Sequence, residues 1–265
     1  MPDQKIPFKP IQFTTSRGAI AHAPVHPDTY GGVAQGFAEL SAAVGAGYQQ
    51  RMAGAGTGRD PVTLVALVSE FLRVMQSLDA EHGGNGALPV EGAAPAVDEA
   101  LTALAELEPW LQRLELREFR ANLLATQLAV GHWAMCHALQ FQVVAPLVNA
   151  LAEQANAAES RQENAAVFAL MQGLVEHLAP QLAADLERSN PERPWRLLNL
   201  NLAITGIRTG DTAMIRYAFE KLDRNLPDEC RGFYAEARAI AAQPGFPPEC
   251  RALIDAGHQR WTQPH

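Results

Sequence analysis

The chain has 265 residues, 48% of them hydrophobic and 19% charged, with a formal net charge of −8. Forty-six alanines against ten Phe, four Tyr and four Trp exclude extended disorder and argue against a many-stranded sandwich or barrel, because alanine loses no side-chain rotamers in a helix. Residues 61–192 carry seventeen acids against six bases, and no lysine-rich or aromatic-interleaved stripe offsets them elsewhere, so no nucleic-acid partner is expected.

Residues 1–30 hold Pro2, Pro7, Pro10, Pro24 and Pro27, a density that breaks any helical period. An extended arm is expected there, with Ile6, Phe8, Ile11 and Phe13 as apolar docking points. No basic stretch followed by an apolar core stands at its start, so a cytoplasmic location is expected. Residues 31–81 read as a helical pair. The first helix, about Gly32–Met52, is rich in Ala and Gly with Phe37, Leu40, Val44 and Tyr48 on one side; its small residues also suit self-association. Asp60 followed by Pro61 reads as an N-cap and first helical residue, opening a helix through Leu64, Val68, Leu72 and Met75.

The Gly- and Pro-rich stretch 82–97 has linker composition and predicts a domain boundary, leaving 98–265 as the main helical domain. Helices are expected over 97–114 and, almost without interruption, over 116–158. Ala121–Ala152 is 32 residues without Asp, Glu, Lys or Arg. Its scattered Asn, Gln, Thr and His, with Pro146, argue against a membrane span and for a central helix buried on nearly all sides, bent or broken near Pro146. A 100° step places Leu128, His132, Met135, Cys136, Leu139 and Val143 on one face. His132 and Cys136 are therefore candidate binding residues: a buried imidazole must find a partner, and Glu118 and Glu176 are the carboxylates nearest to hand by type. Two ligands do not make a metal site, and no metal or cofactor is expected.

Further helices are expected over 164–189, 195–209, 212–225, 229–242 and 248–262. Cys230 and Cys250 sit in matching Pro-x-Glu-Cys-Arg contexts that read as two ordinary helix first turns, with a dipole-lowered thiol pKa as the alternative. Arg196, Arg208 and Arg216, with Arg193 and Arg224, are candidates for an anion-binding surface. No metalloprotease, nucleophile-elbow, phosphate-loop or dinucleotide signature is present, so the protein reads more readily as a non-enzyme than an enzyme.

Residues 196–229 carry Leu202, Ala203, Gly210, Phe219 and Pro227 at spacings that resemble a single tetratricopeptide unit. The resemblance implies two antiparallel helices turning at Gly210-Asp211, with the next helix opened by Pro227. Ile215 and Leu222 depart from the small residues of that repeat. The positions that line its groove, Leu197, Leu200, Ile204 and Ile207, are apolar here and are expected to lie under another helix.

The expected fold is all-α: a multi-helix bundle around a buried central helix, with a C-terminal solenoid-like array of α-hairpins. The expected function is that of a cytoplasmic helical interaction or scaffold protein, bound to a protein partner or to itself. A helical-bundle enzyme or ligand carrier with a pocket near His132 is the alternative.

Overall fold

The computed structural model describes residues 30–51, 59–88, 91–182, 194–242 and 246–262. Residues 1–29 of the expected N-terminal arm, the run 52–58 and Arg193 lie outside them. Among the described residues there are ten α-helices and no strand: α1 Gly31–Arg51, α2 Pro61–His82, α3 Ala93–Arg113, α4 Arg120–Cys136, α5 Ala145–Ala157, α6 Arg161–Leu182, α7 Pro194–Thr209, α8 Thr212–Asn225, α9 Pro227–Ala241 and α10 Pro248–Thr262. The chain is all-α, and it divides into two compact units at 150/151, within α5.

In the first unit α1 packs on α2 and α4, and α3 packs on the same two helices, so α1–α4 close a four-helix ring. The sequence supplies the reasons locally. Asp60 accepts the Thr63 amide at 2.9 Å and Pro61 takes a position where its missing N–H costs nothing. From there Leu64, Val68, Leu72 and Met75 face inward and are almost fully buried, each worth roughly 1.5–3 kcal/mol of transfer free energy. Opposite them stand Val97, Leu101, Leu104 and Leu107 of α3, all without exposed surface. α2 and α3 pack together inside one unit, so the division of the chain does not fall in the linker-like stretch 82–97, whose last five residues already belong to α3. α2 is also long and apolar enough, by length and composition, to cross a membrane; here one of its faces is packed in the ring.

α4 is the buried hub that the charge-free sequence predicted, with side chains from Asn122 to Cys136 buried along almost its whole length. It is shorter than expected, and Pro146 is not what stops it. Leu139 N–H reaches back to Ala134 O at 2.9 Å across Ala138, whose φ is +52°, a left-handed helix cap. α3 ends the same way, Leu116 N–H to Leu111 O at 2.8 Å across Glu115 at φ +59°. The chain then crosses residues 137–144, where Asp98 accepts the amides of Gln142 and Val143, both at 2.7 Å. Pro146 stands in the first turn of α5; it begins a helix rather than breaking one.

In the second unit the helices pack mainly on sequence neighbours: α6 on α7, α7 on α8, and α8, α9 and α10 on one another. Gly210, at φ +67°, supplies the turn between α7 and α8, and Asp211 caps α8 by accepting Ala213 and Met214 amides at 2.7 and 3.1 Å. Phe219 packs edge-on to Tyr234 with ring centroids 5.0 Å apart, and Pro227 opens α9. The hairpin read from the sequence is thus present.

Candidate functional site

Three places gather the groups from which chemistry or recognition is built. The first is at one end of the four-helix ring, where α1 begins and α2 and α4 end. Tyr30, Asp79, His132, Cys136 and His137 are all buried there, around the nearly inaccessible indole of Trp133. The Tyr30 hydroxyl lies 2.9 Å from His132 Nδ1, and Cys136 Sγ lies 3.7 Å from His132 Nε2. With the imidazole proton on Nε2, the phenol donates to Nδ1 and the N–H faces sulfur.

One turn on, Asp79 Oδ1 accepts the Trp133 indole N–H at 2.7 Å and faces His137 Nε2 at 3.0 Å. His137 Nδ1 donates to the Gly86 carbonyl at 2.7 Å, while Gly86 N–H returns to Cys136 O at 3.0 Å. The loop after α2 is thereby tied to the end of α4.

Burial governs the titration here. It pushes the Tyr30 phenol well above its ordinary range, with the neighbouring Cys136 and Asp79 adding to the effect. Burial likewise pushes the Cys136 thiol up to about 12, the Asp79 charge adding to it, so the sulfur is a protonated thiol and a poor nucleophile at neutral pH. No group of three or more His, Cys, Asp or Glu arranged to hold a metal ion occurs among the described residues. These donors and acceptors are spent on one another, an arrangement suited to clasping the end of the bundle.

His132 and Cys136 lie side by side on α4, but neither Glu118 nor Glu176 supplies a carboxylate beside them. Glu118 lies in the short 3₁₀ turn that precedes α4, at the opposite end of that helix, and Glu176 accepts from Tyr217 at 2.7 Å in the second unit. The acid that matters is Asp79. Its signal was present: it continues the spacing Leu64, Val68, Leu72, Met75 and is a charged residue on a core stripe.

The second place is α7. Leu198, Asn199, Leu202, Ala203, Thr205 and Gly206 turn inward and are buried. Leu197, Leu200 and Ile207 are only half-buried, and Ile204 is 38% exposed. Among the described residues the stripe is only partly covered, contrary to the expectation that another helix lies over it, and α7 packs its other face on α6 and α8.

The third is a cleft of about 450 Å³ between α8 and α10, lined by Arg216, Phe219, Glu220, Asp223, Arg224, Leu253, Ala256 and Arg260. Asp223 is its organising residue. Oδ1 accepts the Tyr234 hydroxyl and the Trp261 indole N–H, both at 2.9 Å, and lies 3.5 Å from Cys230 Sγ. Oδ2 accepts Arg260 at 2.6 Å.

The arginines offered for an anion-binding surface do not all come together. Arg196 pairs with Glu229, Nη2 to Oε2 at 3.0 Å; Arg208 donates to the Ala155 carbonyl at 3.0 Å; Arg216 and Arg224 reach the cleft, together with Arg260, which was not among the candidates. Cys230 and Cys250 do stand in the first turns of α9 and α10, as ordinary helix-start residues rather than activated thiols. Burial and the Asp223 carboxylate push Cys230 up to about 12, and burial raises Cys250 as well, so desolvation outweighs the helix dipole. No family model, curated protein or solved structure matches this chain.

Proposed function

We propose that this chain is a non-catalytic helical interaction protein whose second unit receives a partner along α7. One observation carries the reading. Leu197, Leu200, Ile204 and Ile207 recur at intervals of three, four and three residues, the spacing of a continuous helical seam, and they stand half-buried or exposed. Single exposed aliphatics are ordinary; four in register along one helix form a surface that gains about 25 cal/mol for every Å² removed from water. The turn at Gly210 and the hairpin α7–α8 support a tetratricopeptide-like use of this face. The inward-bonded cluster around His132 and Trp133 supports a structural role for the residues that otherwise invite a catalytic reading. Three free, buried cysteines suit a reducing compartment, and we place the protein in the cytoplasm.

The test is affinity purification from the native host with the tagged full-length chain and its Ile204→Glu variant. Ile204 is exposed, so the variant folds and melts as the parent does. The expected result is a set of proteins that accompany the parent and are lost from the variant; an identical set with both overturns the proposal.

A further inference from the structure

We infer that the cleft between α8 and α10 is a second, charge-selecting site that binds an extended acidic segment of a partner protein, in the pattern acid-x-apolar-x-acid. This goes beyond the α7 reading and stands on different residues. Phe219, Leu253 and Ala256 give the cleft an apolar floor, and its roughly 450 Å³ lies within the range of sites that hold a few side chains. Around the rim stand three arginines and two acids, and the acids are already committed. Asp223 is met by the Tyr234 hydroxyl, the Trp261 indole and Arg260, and its side chain is only 15% exposed. It thereby holds Arg260, itself 56% exposed, at the mouth. Glu220 is engaged by Arg224 at 2.8 Å with both side chains 64% exposed, a weak, solvent-screened kind of pair that is readily exchanged for an incoming carboxylate. Arg216, one turn earlier on α8, is exposed and makes no ion pair among the described residues.

The spacing selects the ligand. Arg216 and Arg224 are eight residues apart on one helix, about 12 Å along its axis. A single phosphate or carboxylate does not reach both. Two acids four residues apart in an extended chain are separated by about 13 Å, and the residue midway between them points to the same side. That residue enters the floor while the acids meet the arginines. An acidic extended segment fits this geometry; a compact anion or a basic segment does not.

The experiment is fluorescence anisotropy with the full chain and a fluorescein-labelled peptide Gly-Asp-Ser-Leu-Ser-Asp-Gly, against versions in which Lys replaces both Asp or Ser replaces Leu. Saturable binding of the first is expected. It should weaken as salt rises from about 0.05 to 0.3 M, and by about tenfold with either altered peptide or with Arg216→Glu. Thermal unfolding of Arg216→Glu should match the parent, because the side chain is exposed and unpaired, and Ile204→Glu should bind the peptide normally, which separates this site from α7. Equal binding of the lysine peptide, no binding of the acidic one, or indifference to Arg216→Glu overturns the inference. So does a dimer by light scattering that Arg216→Glu dissociates, since a second copy of the chain then fills the cleft.

Discussion

His137 Nε2 lies 3.0 Å from Asp79 Oδ1 with neither side chain more than 8% exposed, so a carboxylate and an imidazole from the ends of two helices share one dry pocket. Neither group has water to fall back on. Replacing His137 with Leu leaves the Asp79 carboxylate with the Trp133 N–H alone and strips the Gly86 carbonyl of its donor. A loss of about 3 kcal/mol is expected in urea unfolding, the range for a buried polar pair broken from one side. Asp79→Leu combined with His137→Leu should cost less than the two single changes added together, because the orphaned charge disappears. Strict additivity would contradict the clasp.

Two glycines mark where helices meet too closely for a side chain. A Cβ on Gly257 of α10 would overlap the Tyr234 ring of α9, and one on Gly131 of α4 would overlap the Leu147 side chain. Tyr234 is tethered through its hydroxyl to Asp223, so its ring has nowhere to go. Gly257→Ala should destabilise by about 2 kcal/mol despite alanine's advantage of about 1 kcal/mol as a helix former. Thermal unfolding decides it; a raised Tm would show that the contact yields.

Ala138 and Glu115 both cap helices in the left-handed region, where a side chain costs about 1–2 kcal/mol. Ala138→Gly should therefore stabilise the chain by about 0.5–1 kcal/mol once the added freedom of the unfolded glycine is subtracted. Chemical denaturation measures this directly, and a destabilised variant would contradict the cap geometry.

The thiols give the pH prediction. Cys136 and Cys230 hold their protons to about pH 12 in the folded chain, whereas an unfolded cysteine gives its proton up near 8.5. Above that pH the unfolded state binds fewer protons than the folded one, so stability falls as pH rises. At pH 8 a disulfide reagent should label neither cysteine until the protein is unfolded by denaturant. Rapid labelling of the native chain would show that these sulfurs are accessible thiolates.

Much of the architecture was written in local signals. Asp60-Pro61, Gly210-Asp211 and Pro227 each announce a helix boundary by chemistry confined to a few residues, and the charge-free stretch announced α4. What stayed illegible depends on distant groups. The end of α4 is set by a left-handed alanine, a residue with no intrinsic preference for that conformation, and the crossing to α5 is held by Asp98, 44 residues upstream of the Gln142 amide it meets. The partner of His137 comes from 58 residues away, and periodicity reports which face is buried, not which helix lies opposite. The exposure of Ile204 was missed for the same reason: an apolar stripe reads identically whether a neighbour covers it or a partner does.

That last ambiguity is the central claim, and photo-crosslinking tests it most directly. Benzoylphenylalanine in place of Ile204, 38% exposed, is compared with the same probe in place of Val74 on α2, 40% exposed, each irradiated in native host cells. The account predicts a discrete higher-mass adduct with a second protein from position 204 and none from position 74. No adduct from 204, or the same adducts from both positions, would contradict it.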